Sequence, residues 1–179
     1  MDRQGRKKRQ PGQWITLIGF CTAMEVILAR FLSLHTWNLK IGLSFLPVAA
    51  AGLAGGPLAG GLTGALGDII GATLFPVGPY FPGFTLSAFL DGAVYGYFLR
   101  KGATRRAILL SVLVTQIGIS LCLNTFWLAL LFHTSWTVLA WPRLFQCAVG
   151  CVTKPLILLL VLPRLEKHLK SGTLLQHRS

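Results

Sequence analysis

The sequence predicts an all-α integral membrane protein, a six-helix bundle with its N-terminus and C-terminus both cytoplasmic. Three observations carry that reading. The chain of 179 residues is 53% hydrophobic and only 12% charged, where a soluble domain carries about 25% charge. Thirteen of its seventeen Lys and Arg fall into three short segments: Arg3, Arg6, Lys7, Lys8 and Arg9; Arg100, Lys101, Arg105 and Arg106; and Arg164, Lys167, Lys170 and Arg178. Lys and Arg collect on the cytoplasmic side of a membrane, so the apolar stretches between these segments must pair. Residues 1–13 then form a basic cytoplasmic tail, 14–163 the membrane bundle, and 164–179 a second basic cytoplasmic tail.

Each span is justified by length, since a bilayer core takes about 20 apolar residues. The first helix covers Trp14 to Leu32. A basic start followed by an apolar run resembles a signal peptide, but Phe31 to Thr36 offers no small-residue cleavage site, so the helix is expected to be retained. After a loop at 33–40, the second helix, Ile41 to Leu53, is short and holds Pro47, which predicts a bend or a tilt. Gly55-Gly56-Pro57 reads as a tight inner turn, with Pro57 opening a third helix that runs to about Leu74. The proline-rich segment 75–83 cannot be helical. The fourth helix spans Phe84 to Leu99, the fifth Ala107 to Phe132, and the sixth Trp141 to Leu162, interrupted at Pro155. Loops 33–40, 75–83 and 133–140 fall outside.

Composition also excludes functions. The net charge of +12 flanks apolar runs and does not interleave with aromatics on one face, so no nucleic acid partner is expected. No phosphate-binding glycine loop occurs, so ATP hydrolysis would belong to separate subunits. His35, His133, His168 and His177 lie outside the spans in no nucleophile or metal-ligand spacing, so no enzyme activity, catalytic residue, metal or cofactor is expected. Cys21, Cys122, Cys147 and Cys151 read as small buried thiols.

Ionisable groups inside spans mark functional candidates. Arg30, Lys40, Arg143 and Lys154 are the cations outside the three clusters. Glu25, Asp68 and Asp91 are the acids of the spans. With Asn124 they fall roughly 10–12 Å below the outer surface, at ~1.5 Å per helical residue. Such a layer is either a self-satisfying network or the floor of a cavity. For Asp68 pairing is favoured, with Lys154 as partner. Tyr80, Phe81, Phe84, Trp37, Trp127 and Trp136 lie near the outer ends, as an interfacial belt or as a lid over a flat ligand. Gly60 and Gly64, Gly67 and Gly71, and Gly19 with Ala23 are small pairs four apart, suited either to packing within the bundle or to a partner membrane protein.

These residues resemble a known family. Arg30-Phe-Leu-Ser-Leu34, Leu39 to Pro47, Gly64 to Asp68, the run Phe75-Pro-Val-Gly-Pro-Tyr-Phe-Pro-Gly-Phe-Thr-Leu86, Asn124 to Trp127 and Pro142-Arg143 are similar to the folate-specific substrate-binding (S) component of energy-coupling-factor (ECF) vitamin transporters. The likeness runs from about Trp14 to Leu162. It implies a multi-pass protein of the bacterial plasma membrane that captures folate outside. It also implies a transmembrane coupling subunit and two cytoplasmic ATPases as partners, with Gly19 and Ala23 at the coupling surface. Arg30, Lys40 and Arg143 would then meet the ligand's carboxylates. Tyr80, Phe81, Phe84 and Trp127 would stack on its rings, and Thr85, Asp91 and Asn124 would satisfy the pterin edge. Two other readings stay open: an S component for another vitamin or pterin-like metabolite, and a non-transporting membrane assembly protein that binds no small molecule.

Overall fold

In the computed structural model the chain is a helical bundle, with residues 11–31, 33–35, 40–76, 79–133 and 136–175 described. The six helices are α1 (Pro11–Phe31), α2 (Phe45–Gly55), α3 (Pro57–Leu74), α4 (Pro82–Leu99), α5 (Arg105–Phe132) and α6 (Trp136–Leu175). Three of them carry stretches long and apolar enough to cross a membrane: Gly12–Phe31, Arg105–Phe132 and Trp141–His168. The basic cluster at Arg3 to Arg9, Trp37 and Arg178 lie outside the described residues.

Four features differ from the sequence expectation. Between α1 and α2, Ser33–His35 (β1) and Lys40–Gly42 (β2) pair antiparallel, with Ser33 opposite Gly42. This hairpin takes residues 41 and 42 out of the second helix. α2 therefore starts at Phe45, and Pro47 falls in its first turn, where a missing N–H costs no hydrogen bond. α5 is continuous, but Val114–Leu123 winds as a π-helix, a form found frequently at functional sites. α6 is not broken at Pro155. It runs through Pro142, Pro155 and Pro163 to Leu175, so the segment from 164 is helical as far as that residue. Proline is tolerated in membrane helices where neighbouring groups take up the freed backbone carbonyls. The extension of α6 is held by Glu166, whose carboxylate accepts the Ala103 N–H at 2.8 Å in the α4–α5 turn. That turn requires Gly102 at φ 124°.

The bundle's main core lies toward this turn, where Phe45, Val48, Leu53, Tyr95, Leu99, Ile108, Val112, Leu158 and Leu162 bury one another. α3 and α4 pack backbone to backbone. A methyl group on Gly60 would collide with the Gly92 carbonyl, and one on Gly64 with that of Ala88. Gly60 and Gly64 are therefore buried within the bundle, and the partner surface considered for them is replaced by the packing role.

Candidate functional site

At the far end of the bundle from that core, three elements converge. Arg30 is near the C-terminal end of α1, Asp68 and Ala72 lie toward the end of α3, and Pro79, Tyr80 and Phe81 lead into α4. With Phe84 they line a cavity of about 140 Å³. The local sequence dictates this shape. Pro76 and Pro79 keep the connection out of a helix. Phe81 is extended (φ −135°, ψ 124°), as the residue before a proline must be, and Pro82 opens α4 where its missing N–H is harmless.

The cavity has a polar wall and an aromatic wall. On the polar side, Thr85 Oγ1 donates to Asp68 Oδ2 at 2.7 Å, and Tyr80 Oη lies 3.0 Å from Thr85 Oγ1. Because Thr85 gives its proton to Asp68, the Tyr80 hydroxyl is the donor in the second contact. The chain ties α3, α4 and the 79–81 segment together and leaves the other Asp68 oxygen open to a further donor. Arg30 lines the same cavity, and its Nε is buried without a partner among the described residues. On the aromatic side, Phe81 packs against Phe84 (6.1 Å, 75°) and against Trp127 (5.6 Å, 50°). Trp127 is fixed by its indole N–H donating to Ser87 Oγ at 3.2 Å. A methyl group on Gly83 would strike both Phe81 and Trp127, so this cluster depends on a glycine there.

Of the residues singled out in the sequence, Arg30, Tyr80, Phe81 and Phe84 line the cavity, Thr85 adjoins it through its hydrogen bonds, and Trp127 reaches it through Phe81. Asp91, Asn124 and Arg143 do not line it. Asn124 Oδ1 is buried without a partner. Arg143 is buried and donates from Nη1 to the Ser120 carbonyl at 3.4 Å, on the π-helical segment. Lys40 opens β2, and its side chain lies outside the described part of the structure. Gly19 and Ala23 are exposed, with nothing within 4 Å of a methyl group placed on Gly19.

Asp68 is the residue the sequence misassigned. Its partner is Thr85, not Lys154. Lys154 donates to Gln116 Oε1 and lies 5.6 Å from the Phe45 ring centroid. The signal for Asp68 was present in the small residues of α3 and α4. The four-residue steps Gly56, Gly60, Gly64 and Gly96, Gly92, Ala88 face each other in antiparallel register, and the next step brings Asp68 level with Phe84, one residue before its partner Thr85. Ala72 and Pro79 carry no chemical signal of their own.

The geometry is that of a ligand-binding membrane bundle, and comparison with known proteins agrees. A family described as ECF transporter, substrate-specific component, matches residues 13–165. The chain belongs to this family. It is accordingly a multi-pass membrane protein and a transport component, not an enzyme. It is similar to the folate transporter FolT of Clostridium novyi (strain NT), 40% identical over 133 residues, which are 74% of this chain and 77% of that one. A crystal structure of FolT bound with folic acid superposes with a TM-score of 0.79 at 35% identity, covering 84% of this chain and 92% of the other. The S-component for biotin from an ECF-type ABC transporter shares the fold (TM-score 0.70, 18% identity, 91% and 95% covered).

Proposed function

We propose that this S component binds folate from outside the cell and delivers it by associating with a transmembrane coupling subunit and two cytoplasmic ATPases. The observation that carries the reading is the cavity itself, which a cation, a carboxylate and aromatic rings line together. Folate has matching parts: a flat pterin, an aminobenzoyl ring and a glutamate with two carboxylates. Asp68, with one oxygen held by Thr85, suits the donor edge of a pterin. Phe81, Phe84 and Trp127 suit its faces, with Tyr80 closing over them. Arg30 supplies a cation for an anionic group, and Lys40 and Arg143 would act toward the glutamate. Asn124 and Asp91 would take the remaining polar groups of the ligand.

A ligand pocket for a drug-sized molecule is usually about 300–1,000 Å³. The cavity here is about 140 Å³. A whole folate is therefore larger than this cavity and would extend past it, where Tyr80 is exposed, or open it further. The cation clusters support cytoplasmic termini and basic tails at 1–13 and 164–179. The exposed Gly19 and Ala23 face of α1 supports contact with the coupling subunit.

The test is folate titration of the purified chain in detergent, followed by quenching of its tryptophans and by calorimetry. Saturable binding of about one folate per chain is expected from this cavity. Binding of another vitamin in place of folate, or of none, would overturn the assignment. Arg143→Ala should weaken folate more than it weakens a pterin lacking the glutamate. Equal losses for both ligands would remove Arg143 from the carboxylate site.

A further inference from the structure

We propose that Gly71 is a positioning residue for ligand recognition: it leaves the notch on α3 in which the Arg30 guanidinium lies, and so sets where that cation stands in the cavity. A Cβ at position 71 would sit 2.7 Å from Arg30 Nη2, 2.9 Å from Nε and 3.2 Å from Cζ. Real side chains do not tolerate such contacts, so any residue other than glycine displaces the guanidinium. Gly71 is buried, and its neighbour Ala72 lines the cavity beside Arg30.

What makes the notch decisive is the lack of a polar restraint on Arg30 among the described residues. Arg30 makes no hydrogen bond or ion pair among the described residues, and its Nε is buried. A guanidinium with five donors is normally oriented by its acceptors. Here packing against α3 orients it instead and leaves those donors for a ligand. The preceding glycine on the same face works alike, since a methyl group on Gly67 would meet the Glu25 carboxylate. These two glycines differ from Gly60 and Gly64, whose neighbours across the interface are backbone carbonyls. A methyl group at 71 meets the end of a long side chain, which can swing away. Gly71→Ala should therefore change the site and spare the fold.

The ligand arm of the test rests on the folate reading above, and a second arm does not. Arg30 in the detergent-solubilised chain is labelled with phenylglyoxal, and the rate is read by peptide mass spectrometry. Gly71→Ala should speed labelling several-fold by lifting the guanidinium from its notch, and equal rates would overturn the proposal. In the ligand arm, folate affinity is measured for the wild type, Gly71→Ala, Arg30→Ala and the double variant. Gly71→Ala should cost roughly tenfold, the scale of one charge-assisted hydrogen bond misplaced, and should cost nothing more once Arg30 is Ala. Independent, multiplying losses would show that Gly71 acts other than through Arg30, and would overturn the proposal. A wild type that binds no folate defeats the folate assignment alone, because the labelling rates still decide the role of Gly71. If Gly71→Ala does not fold, folding restored by adding Arg30→Ala supports the notch, and failure of both chains overturns it.

Discussion

The α3–α4 pair and the α5–α6 pair solve one problem in opposite ways. Lipid is as apolar as leucine, so helices in a membrane associate through close packing or polar contacts and not through hydrophobic burial. α3 and α4 take the first route: Gly60, Gly64 and Gly92 bring backbone against backbone, and nothing along that line can give way. α5 and α6 take the second. Gln116 accepts from Lys154, the Gln116 carbonyl lies 3.6 Å from the Cys147 thiol, and Arg143 reaches the Ser120 carbonyl. Gln116 itself lies over Gly150. The first pair is a rigid frame, and the polar side of the cavity is built on its outer end. The second is a seam of side chains, which reaches the cavity through Trp127.

The largest effect should come from filling the frame. Overpacking a core costs ~1–3 kcal/mol, and against a carbonyl the upper end applies. Gly60→Leu should lower the melting temperature by about 6–12 °C for ~3 kcal/mol, or prevent folding. Gly150→Ala, whose nearest neighbour is the Gln116 side chain, should cost much less. Similar melting temperatures for the two variants would erase the contrast between frame and seam.

Trp127→Ala tests the link between the two halves. It removes the ring against Phe81 and the donor to Ser87. Folate affinity should fall roughly 10- to 100-fold, or ~1.4–2.8 kcal/mol, while thermal stability changes less than for Gly60→Leu. Affinity close to that of the wild type would mean that Phe81 and Phe84 suffice and that the seam is not coupled to the site.

The frame was more legible in the sequence than the seam, for physical reasons. Apolar runs, the proline-rich break at 76–82 and the steps of small residues are local features, and they predict the helices and bring Arg30, Tyr80, Phe81 and Phe84 to one end. What was missing was register between helices. Without it, the glycines of α3 had two readings, and Asp68 was given to Lys154 when its partner is Thr85. The π-helical stretch Val114–Leu123 has no local cue, because an apolar run reads alike whether it winds as α or as π. The hairpin was hidden by the size of its strands, three residues each, which is too short for alternation to register.

The smallest effect should come from the seam. Gln116 is 2% exposed, and replacing it with Leu removes an acceptor from Lys154 and leaves apolar volume beside Gly150. A hydrogen bond to a charged group is worth ~1.5–3 kcal/mol. Lys154 can offset part of that, because it stands over the Phe45 ring and keeps a cation–π contact. The melting temperature of Gln116→Leu should therefore fall by only about 2–6 °C, taking ~1–1.5 kcal/mol for the net cost. Folate affinity should stay within about twofold, since distant sites with no shared partner behave independently, and neither Gln116 nor Lys154 lines the cavity. A large loss of affinity at unchanged stability would reverse the comparison. The π-helical segment would then carry strain from Gln116 along α5 to Asn124 and Trp127, making the seam a working part of the site and not only its support.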